Sequence, residues 1–544
     1  MNSTDPIPVL ILAGGNISAK FPFLRAQCAC PALMPINTKT LVSHVISAYR
    51  NEKQSYALHL FVDREFVQDV LAELPPQRHN YELHGIESSS GVVGTLREAL
   101  RIVKTEGQIV VNLATTIPAV EVEPDTVYLG NEETFNGQWS AVEIKAGHVR
   151  FLFKRDNIQQ CRAHPFTGLF SMAYSSLVAA TEEAAVSDDL VSVIQTANEK
   201  TALQFKITKW MDCGHENNYL NTRADLISSR SFNSLCVRQR EGIIRKASEH
   251  KEKIRREAAY IEMLPERLKI YFPRVLHQLW NDNVFEAYEM EFYGYPNLAE
   301  YLLYWDLTAA RWQRIFQSLG EILDAFREFP YSIGPQEFRS FLWQKTVGRI
   351  ESFLEKVAPA HLGKELLTSD LIINGKKHRS LAARLPQIEK RCAELYDEDA
   401  FCVFHGDFCF NNILYDASSG IVRLIDPRGA FSERTVGIYG DRRYDLSKLY
   451  HSAVGQYDYM VNGIYECERQ ASENYRLSIP PRANQETVTR YMSELISAQN
   501  VKPSEIEFST ALLFLSMTPL HAEDPLRQRA FFLQGMQLLE TSFG

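Results

Sequence analysis

One local pattern constrains this chain more than any other. His405-Gly406-Asp407-Phe408-Cys409-Phe410-Asn411-Asn412 runs directly into the apolar Ile413-Leu414-Tyr415, and a second apolar run, Ile421 to Ile425, ends at Asp426. Paired as a hairpin, these runs bring Asp407, Asn412 and Asp426 to the mouth of one cleft. Two carboxylates and an amide carbonyl are the set that phosphoryl transfer uses. One carboxylate orients or deprotonates an attacking hydroxyl, while an Asn and a second Asp hold Mg²⁺ against phosphates. Positioning and charge compensation then do most of the catalytic work.

A partner feature lies upstream. Ile243-Ile244-Arg245-Lys246 reads as a strand delivering a lysine, similar to the V-A-I-K strand of kinases, and Glu257 follows eleven residues later on a helix expected from Lys251 to Met263. An ion pair between Lys246 and Glu257 would fix the reach of the lysine. HGDFCFNN, the following LIDPRG and the later Gly440-Asp441-Arg442-Arg443-Tyr444-Asp445-Leu446 resemble the aminoglycoside phosphotransferase/choline kinase family, from about Phe232 onward. The resemblance implies Asp407 as catalytic base, Asn412 and Asp426 as Mg²⁺ ligands, Lys246 and Glu257 as the ATP-phosphate pair, and Asp445 as a brace behind the catalytic loop. His405-Gly406-Asp407 stands where protein kinases have His-Arg-Asp, and no A-P-E segment follows Asp426, which disfavours a protein substrate.

Substrate clues are thinner. Pro427-Arg428-Gly429 follows Asp426 where many relatives carry Trp and an acidic residue. Arg428 beside the acceptor would favour an anionic or heavily hydroxylated molecule, and a salt bridge to a nearby Asp is its alternative role. His451, His521, Glu523 and Asp524 are further candidates for the pocket wall, with helix capping as the alternative. The aromatic stretch Phe292 to Trp305 offers rings for adenine, or plain core.

The first half opens with Leu10-Ile11-Leu12-Ala13-Gly14-Gly15, a glycine turn after a strand, where backbone N–H groups can approach phosphates. Pro31 to Ile36, Gly94 to Leu100 and Trp210-Met211-Asp212-Cys213-Gly214 resemble segments of sugar-phosphate nucleotidyltransferases, over about Pro6 to Arg223. That likeness implies Gly14 and Gly15 as nucleotide contacts and Asp212 as a metal ligand. Two departures stand out. Ala32 replaces the signature lysine, and Thr115 stands where relatives carry a metal-binding Asp. A hydroxyl is a poor substitute for a carboxylate on Mg²⁺. Lys20 or Arg25 is a candidate replacement cation.

With 544 residues the chain has room for three to four domain-sized units. The expected division is 1–225, an α/β nucleotidyltransferase-like (Rossmann-like) domain with a largely parallel sheet; 226–297, the small lobe of a bilobal α+β kinase-like domain; and 298–544, its helical lobe with one β island at Phe401 to Ile425. The boundary is placed in the Ser/Asn/Arg-rich stretch Asn221 to Asn233. Net charge is −9, which argues against a nucleic-acid binder. Nine scattered cysteines without metal-ligand spacing fit reduced thiols. The opening segment lacks a basic n-region, and the apolar run Ala511 to Met517 is too short to span a bilayer, so a cytoplasmic protein without membrane insertion is expected. The expected activity is ATP- and Mg²⁺-dependent phosphorylation of a hydroxyl on a sugar, polyol or amino alcohol, in the synthesis of capsule or surface-glycan precursors. A second NTP or a sugar phosphate is the expected ligand of the first domain. The alternatives are a first domain that only binds, and a non-enzymatic scaffold.

Overall fold

The computed structural model describes the chain except residues 1–5, 18–28, 51–53, 75–79, 88–90, 136, 146, 155, 157–160, 186–188, 228–232, 306, 358–359, 481–482 and 544. It comprises two compact units, Met1–Arg223 and Ala224–Gly544.

In the first unit the apolar run after Pro6 forms the strand Ile7–Leu12, paired in parallel with Tyr56–Asp63 on one side and Gln108–Leu113 on the other. Glu82–Ile86 extends the parallel set. A strand buried on both faces reads as an unbroken apolar run, and here Leu10, Phe61, Val93, Leu96 and Phe170 share one core. The expectation of a largely parallel sheet needs correcting, because the sheet is mixed. The long strand Arg162–Ala173 runs antiparallel to Gln108–Leu113, Thr126–Leu129 and Ala141–Lys145. The hairpin Ala141–Lys145/His148–Leu152 completes that edge. Its strands carry charged residues, as a sheet edge open to water permits, and so they lack the apolar signature of the buried strands.

The polar stretch placed at the boundary is not a simple linker. A helix, Glu216–Ile227, extends into its first part, and Ala224, where the second unit starts, lies inside that helix.

The second unit begins with a four-stranded antiparallel sheet in the order Asn233–Arg238, Ile243–Ser248, Val284–Glu291, Val275–Asn281. The helix Lys251–Met263 covers it, with Ile254 and Ala258 packed among Ile244, Phe285, Tyr288 and Met290. Helices dominate from Leu298 on. Pro503–Met517 starts on a proline, whose missing N–H costs nothing at a first helical position, and is fully buried from Ala511 to Met517. The apolar run is therefore core. No described helix is long and apolar enough to cross a membrane. The β island is present as Phe401–Val403, Ile413–Tyr415 and Val422–Leu424, the last two pairing as the expected hairpin. A second sheet in this lobe was not expected. It orders Lys376–His378, Leu371–Ile373, Asn474–Ser478 and Glu466–Ala471.

Candidate active site

The loop between Phe401–Val403 and Ile413–Tyr415 is held from behind. Asp445, on the helix Arg442–Ala453, is 0% exposed and accepts the N–H groups of His405 (2.6 Å) and Gly406 (2.8 Å). Burial pushes its carboxyl up to about 7 against the pull of those two donors. Gly406 turns the chain at φ +79°, and a Cβ there would sit 2.6 Å from that of Arg428, so only glycine fits. The His405 carbonyl in turn accepts the Arg428 N–H at 2.9 Å. Below the loop, Phe410 packs against Trp312 and Phe316.

On this frame Asp407 is fixed at both oxygens. Lys448 Nζ reaches Oδ1 at 2.9 Å, and Asn412 Nδ2 donates to Oδ2 at 2.9 Å. Burial alone would raise the Asp407 pKa, but Lys448 and Asn412 hold it at about 2. The carboxylate is thus ionised at any working pH and in place to accept a hydroxyl proton. Asn412 uses its amide N–H groups on Asp407, which leaves its carbonyl oxygen for a cation. The Ile425 N–H binds the Asn412 main-chain carbonyl at 3.0 Å, bringing Asp426 alongside, and Asp426 sits at φ +57°. An amide oxygen and a carboxylate are hard donors that suit Mg²⁺.

Lys246 approaches from the small lobe. It is 2% exposed, with Nζ 2.5 Å from Glu257 Oε2 and 2.8 Å from Asp426 Oδ1. Burial disfavours its charge, yet Asp426, Tyr288 and Glu257 together hold its pKa well above the lysine range. The same strand–helix pair that carries Lys246 and Glu257 is tied to the loop that carries Asp407, because the Tyr260 hydroxyl donates to the Phe404 carbonyl at 2.9 Å. Asp407, Asn412, Asp426, Lys246 and Glu257 therefore meet at one place.

The weaker candidates fare differently. His451 is 0% exposed, packed between Tyr457 and Phe514, so it belongs to the interior and not to an open pocket wall. His521 packs edge-on against Phe531. Arg428 makes no ion pair among the described residues; its guanidinium lies over Phe341 (4.9 Å) and Tyr444 (6.0 Å) and meets the Tyr444 hydroxyl at 3.4 Å. Lys448 escaped sequence reasoning. Its one signal is spacing: it follows Asp445 by three residues on one helix, so both face the loop.

In the first unit a cavity of about 330 Å³ is lined by Gly14, Gly15, Thr95, Thr115, Lys154 and Asp212, among others. Gly15 adopts φ +96° with its N–H on Asp63 Oδ2 at 3.1 Å, and a Cβ on Gly14 would strike Thr95 Oγ1 at 2.6 Å. The glycine turn, the G-T segment and Asp212 thus share one wall. The charge set is incomplete. Ala32 is fully buried. Asp212 accepts from the Gly214 N–H and Asn218 Nδ2 and pairs with His215 Nδ1, and beside Gly214 it shares the cavity lining with the hydroxyl of Thr115. One carboxylate already bonded at both oxygens, plus a hydroxyl, does not make a divalent-cation cage. Lys154 is a cation on this cavity that sequence reasoning missed; Lys20 and Arg25 lie outside the described residues.

A buried strand lysine tied to a helix glutamate, facing a loop aspartate with an asparagine and a second aspartate on a hairpin, defines a phosphotransferase of the kinase fold. Residues 224–462 match the model of the family described as "Phosphotransferase enzyme family". Among solved structures, the chain is similar to an aminoglycoside phosphotransferase, APH(3'')-Id from Streptomyces rimosus (14% identity, 57% of this chain and 91% of that one, TM-score 0.32). It is also similar to HddC from Yersinia pseudotuberculosis (14% identity, 40% of this chain and 99% of that one, TM-score 0.32). A third similar structure is an inositol-1-phosphate CTP transferase from T. maritima (14% identity, 39% of this chain and 91% of that one, TM-score 0.29). A search of curated proteins returned no match.

Proposed function

We propose that the second unit transfers the γ-phosphoryl group of ATP to a hydroxyl of a small molecule, a sugar, polyol or amino alcohol. Bound Mg²⁺ would neutralise phosphate charge, held by Asn412 and Asp426. Lys246 reaches the nucleotide phosphates under the restraint of Glu257, and Asp407 orients the acceptor hydroxyl and takes its proton. The observation that carries this reading is the meeting of Lys246 with Glu257 and Asp426 at 2.5 and 2.8 Å, together with the Asn412–Asp407 contact at 2.9 Å. The test is ATP consumption by the full chain with a panel of hydroxylated acceptors. Asp407→Asn should lower the acceptor-dependent rate by about 10²–10⁴-fold, the range of a lost general base. Wild type and Asp407→Asn alike in failing to use ATP with every acceptor would point to a scaffold.

For the first unit, the incomplete charge set around Asp212 favours a domain that binds a nucleotide or sugar phosphate over one that transfers a nucleotidyl group. Pyrophosphate release from any NTP plus a sugar phosphate would reverse that preference. A kinase joined to such a domain suits the preparation of nucleotide-activated precursors for capsule or other surface glycans, and a cytoplasmic location follows from that role.

A further inference from the structure

Beside Asp407 lies a group of cations that the reaction chemistry above does not use. Lys345 starts the helix Lys345–Lys356, and Arg349 follows one turn later. The Lys345 ammonium sits 4.6 Å from the ring centre of Phe341 and 5.6 Å from that of Tyr444, the same two rings that Arg428 covers. Lys448, one turn beyond Tyr444, closes the group with its Nζ on Asp407. Arg349 turns one nitrogen to the Ser516 carbonyl at 3.5 Å. Among the described residues no carboxylate lies within ion-pair distance of Lys345, Arg349 or Arg428. The crowding registers on Lys345, whose pKa is driven well below the lysine range by burial and then by Arg428, Arg349 and Lys448.

Packing like charges together where burial limits their hydration is unfavourable, and aromatic faces compensate it only in part. A protein that keeps such a group beside its catalytic base has a use for the missing negative charge. The nucleotide phosphates have their own lysine, Lys246, on a different element and bonded to Asp426. A guanidinium fork with an ammonium next to it matches the oxygens of a phosphate monoester or a carboxylate.

Resting on the kinase reading above, we propose that the acceptor is itself anionic, carrying a phosphate or carboxylate that Lys345, Arg349 and Arg428 bind while its hydroxyl faces Asp407. In the transfer, the acceptor oxygen bonds to the γ-phosphorus as the bond from that phosphorus to the β,γ-bridging oxygen breaks. The hydroxyl proton passes to Asp407 and ADP leaves. The product carries one more phosphate than an already charged acceptor.

The test pairs acceptors that differ only in charge: glycerol with glycerol 3-phosphate, and glucose with glucose 6-phosphate and glucuronate, with choline as the cation. The charged members should show kcat/KM at least tenfold above their neutral partners. Lys345→Met and Arg349→Met should raise the acceptor KM tenfold or more while the KM for ATP stays within twofold, and Lys345→Arg should recover most of the loss. The ratio of phosphate to carboxylate acceptors tells which group the site prefers. A neutral acceptor or choline used as well as its charged counterpart, or an acceptor KM unmoved by both substitutions, overturns the proposal. A second measurement needs no turnover. With Mg-ADP saturating the nucleotide site, inorganic phosphate should raise the thermal midpoint of the full chain saturably, and Lys345→Met should abolish that rise. An equal rise in wild type, Lys345→Met and Arg349→Met, or none in wild type, counts against the anion site. If no acceptor is phosphorylated at all, the kinase reading falls, and the phosphate titration still decides the site.

Discussion

Replacing Asp445 by Asn sets two opposing effects on one buried carboxylate against each other. Two backbone N–H donors at 2.6 and 2.8 Å favour its charge, while complete burial opposes it, and burial wins with a pKa of about 7. The unfolded value is about 3.9. A carboxyl raised on folding contributes stability that is fully present below the unfolded pKa and lost as pH rises through the folded one. Between pH 5 and pH 8 that loss amounts to about 2.5 kcal/mol, from a slope of about 1.4 kcal/mol per pH unit that levels off above pH 7. Asparagine does not titrate, but its NH₂ would face one of the two N–H groups and leave it unsatisfied, at a cost of about 2 kcal/mol. Asp445→Asn should therefore be less stable than wild type by about 2 kcal/mol at pH 5 and close to it by pH 8. The assay is the urea transition that abolishes binding of a non-hydrolysable ATP analogue, measured for both proteins across that range. All other titrating groups are common to both and cancel in the difference. A deficit that widens as pH rises would refute the reasoning, because the two N–H bonds would then outweigh burial.

Four further outcomes follow, three at the same site and one at a control glycine. Lys448→Met removes the ammonium that holds Asp407 near pKa 2; because the Asp407 side chain is 41% exposed, the loss at pH 7 is discounted to about 1 kcal/mol. A carboxylate depressed on folding stabilises above its unfolded pKa, so urea midpoints of wild type and variant should converge as pH falls below about 4. Gly406→Ala should cost about 2 kcal/mol or more and abolish activity, since its Cβ would meet Arg428 at 2.6 Å. Gly420→Ala, at a similar φ of +78° but with open space around it, should cost only about 1 kcal/mol by the same thermal or urea measurement and leave kcat intact. Lys246→Met should destabilise by about 3 kcal/mol by leaving Glu257 buried without its partner, and the double variant with Glu257→Leu should recover most of that; additive losses would show the pair is uncoupled.

The legible parts of the site are those built from local geometry. Asp407, Asn412 and Asp426 are placed by one loop and one hairpin, and Lys246 and Glu257 by a strand and the helix after it, so spacing alone carries them. Lys345 and Arg349 lie one turn apart on one helix, but Arg428 joins them only through the packing of a distant segment on Phe341 and Tyr444, and no spacing announces that. His451 failed for the opposite reason. A histidine one turn past Lys448 has the right address, but the rings of Tyr457 and Phe514 bury it. The fold shows the same divide. Buried parallel strands such as Ile7–Leu12 declare themselves as apolar runs, whereas the hairpin Glu466–Ala471/Asn474–Ser478 has a largely polar, exposed first strand and is specified by pairing. The polar composition from Asn221 onward marks a domain boundary, yet Thr222, Arg223 and Ala224 are buried members of a helix there.

The two short contacts of Lys246 have a consequence for how ligands would load. Its ammonium occupies an Asp426 oxygen in this state, acting as that carboxylate's counter-ion. A lysine drawn toward nucleotide phosphates would give up that oxygen to an incoming divalent ion, and an ion on Asp426 would release the lysine for phosphates. Each ligand would lower the other's cost of entry, and linkage requires the two gains to be equal. Nucleotide affinity should then depend on Mg²⁺ beyond simple chelation by the triphosphate, and a single ion pair suffices to make the small-lobe strand and the hairpin bind as one unit.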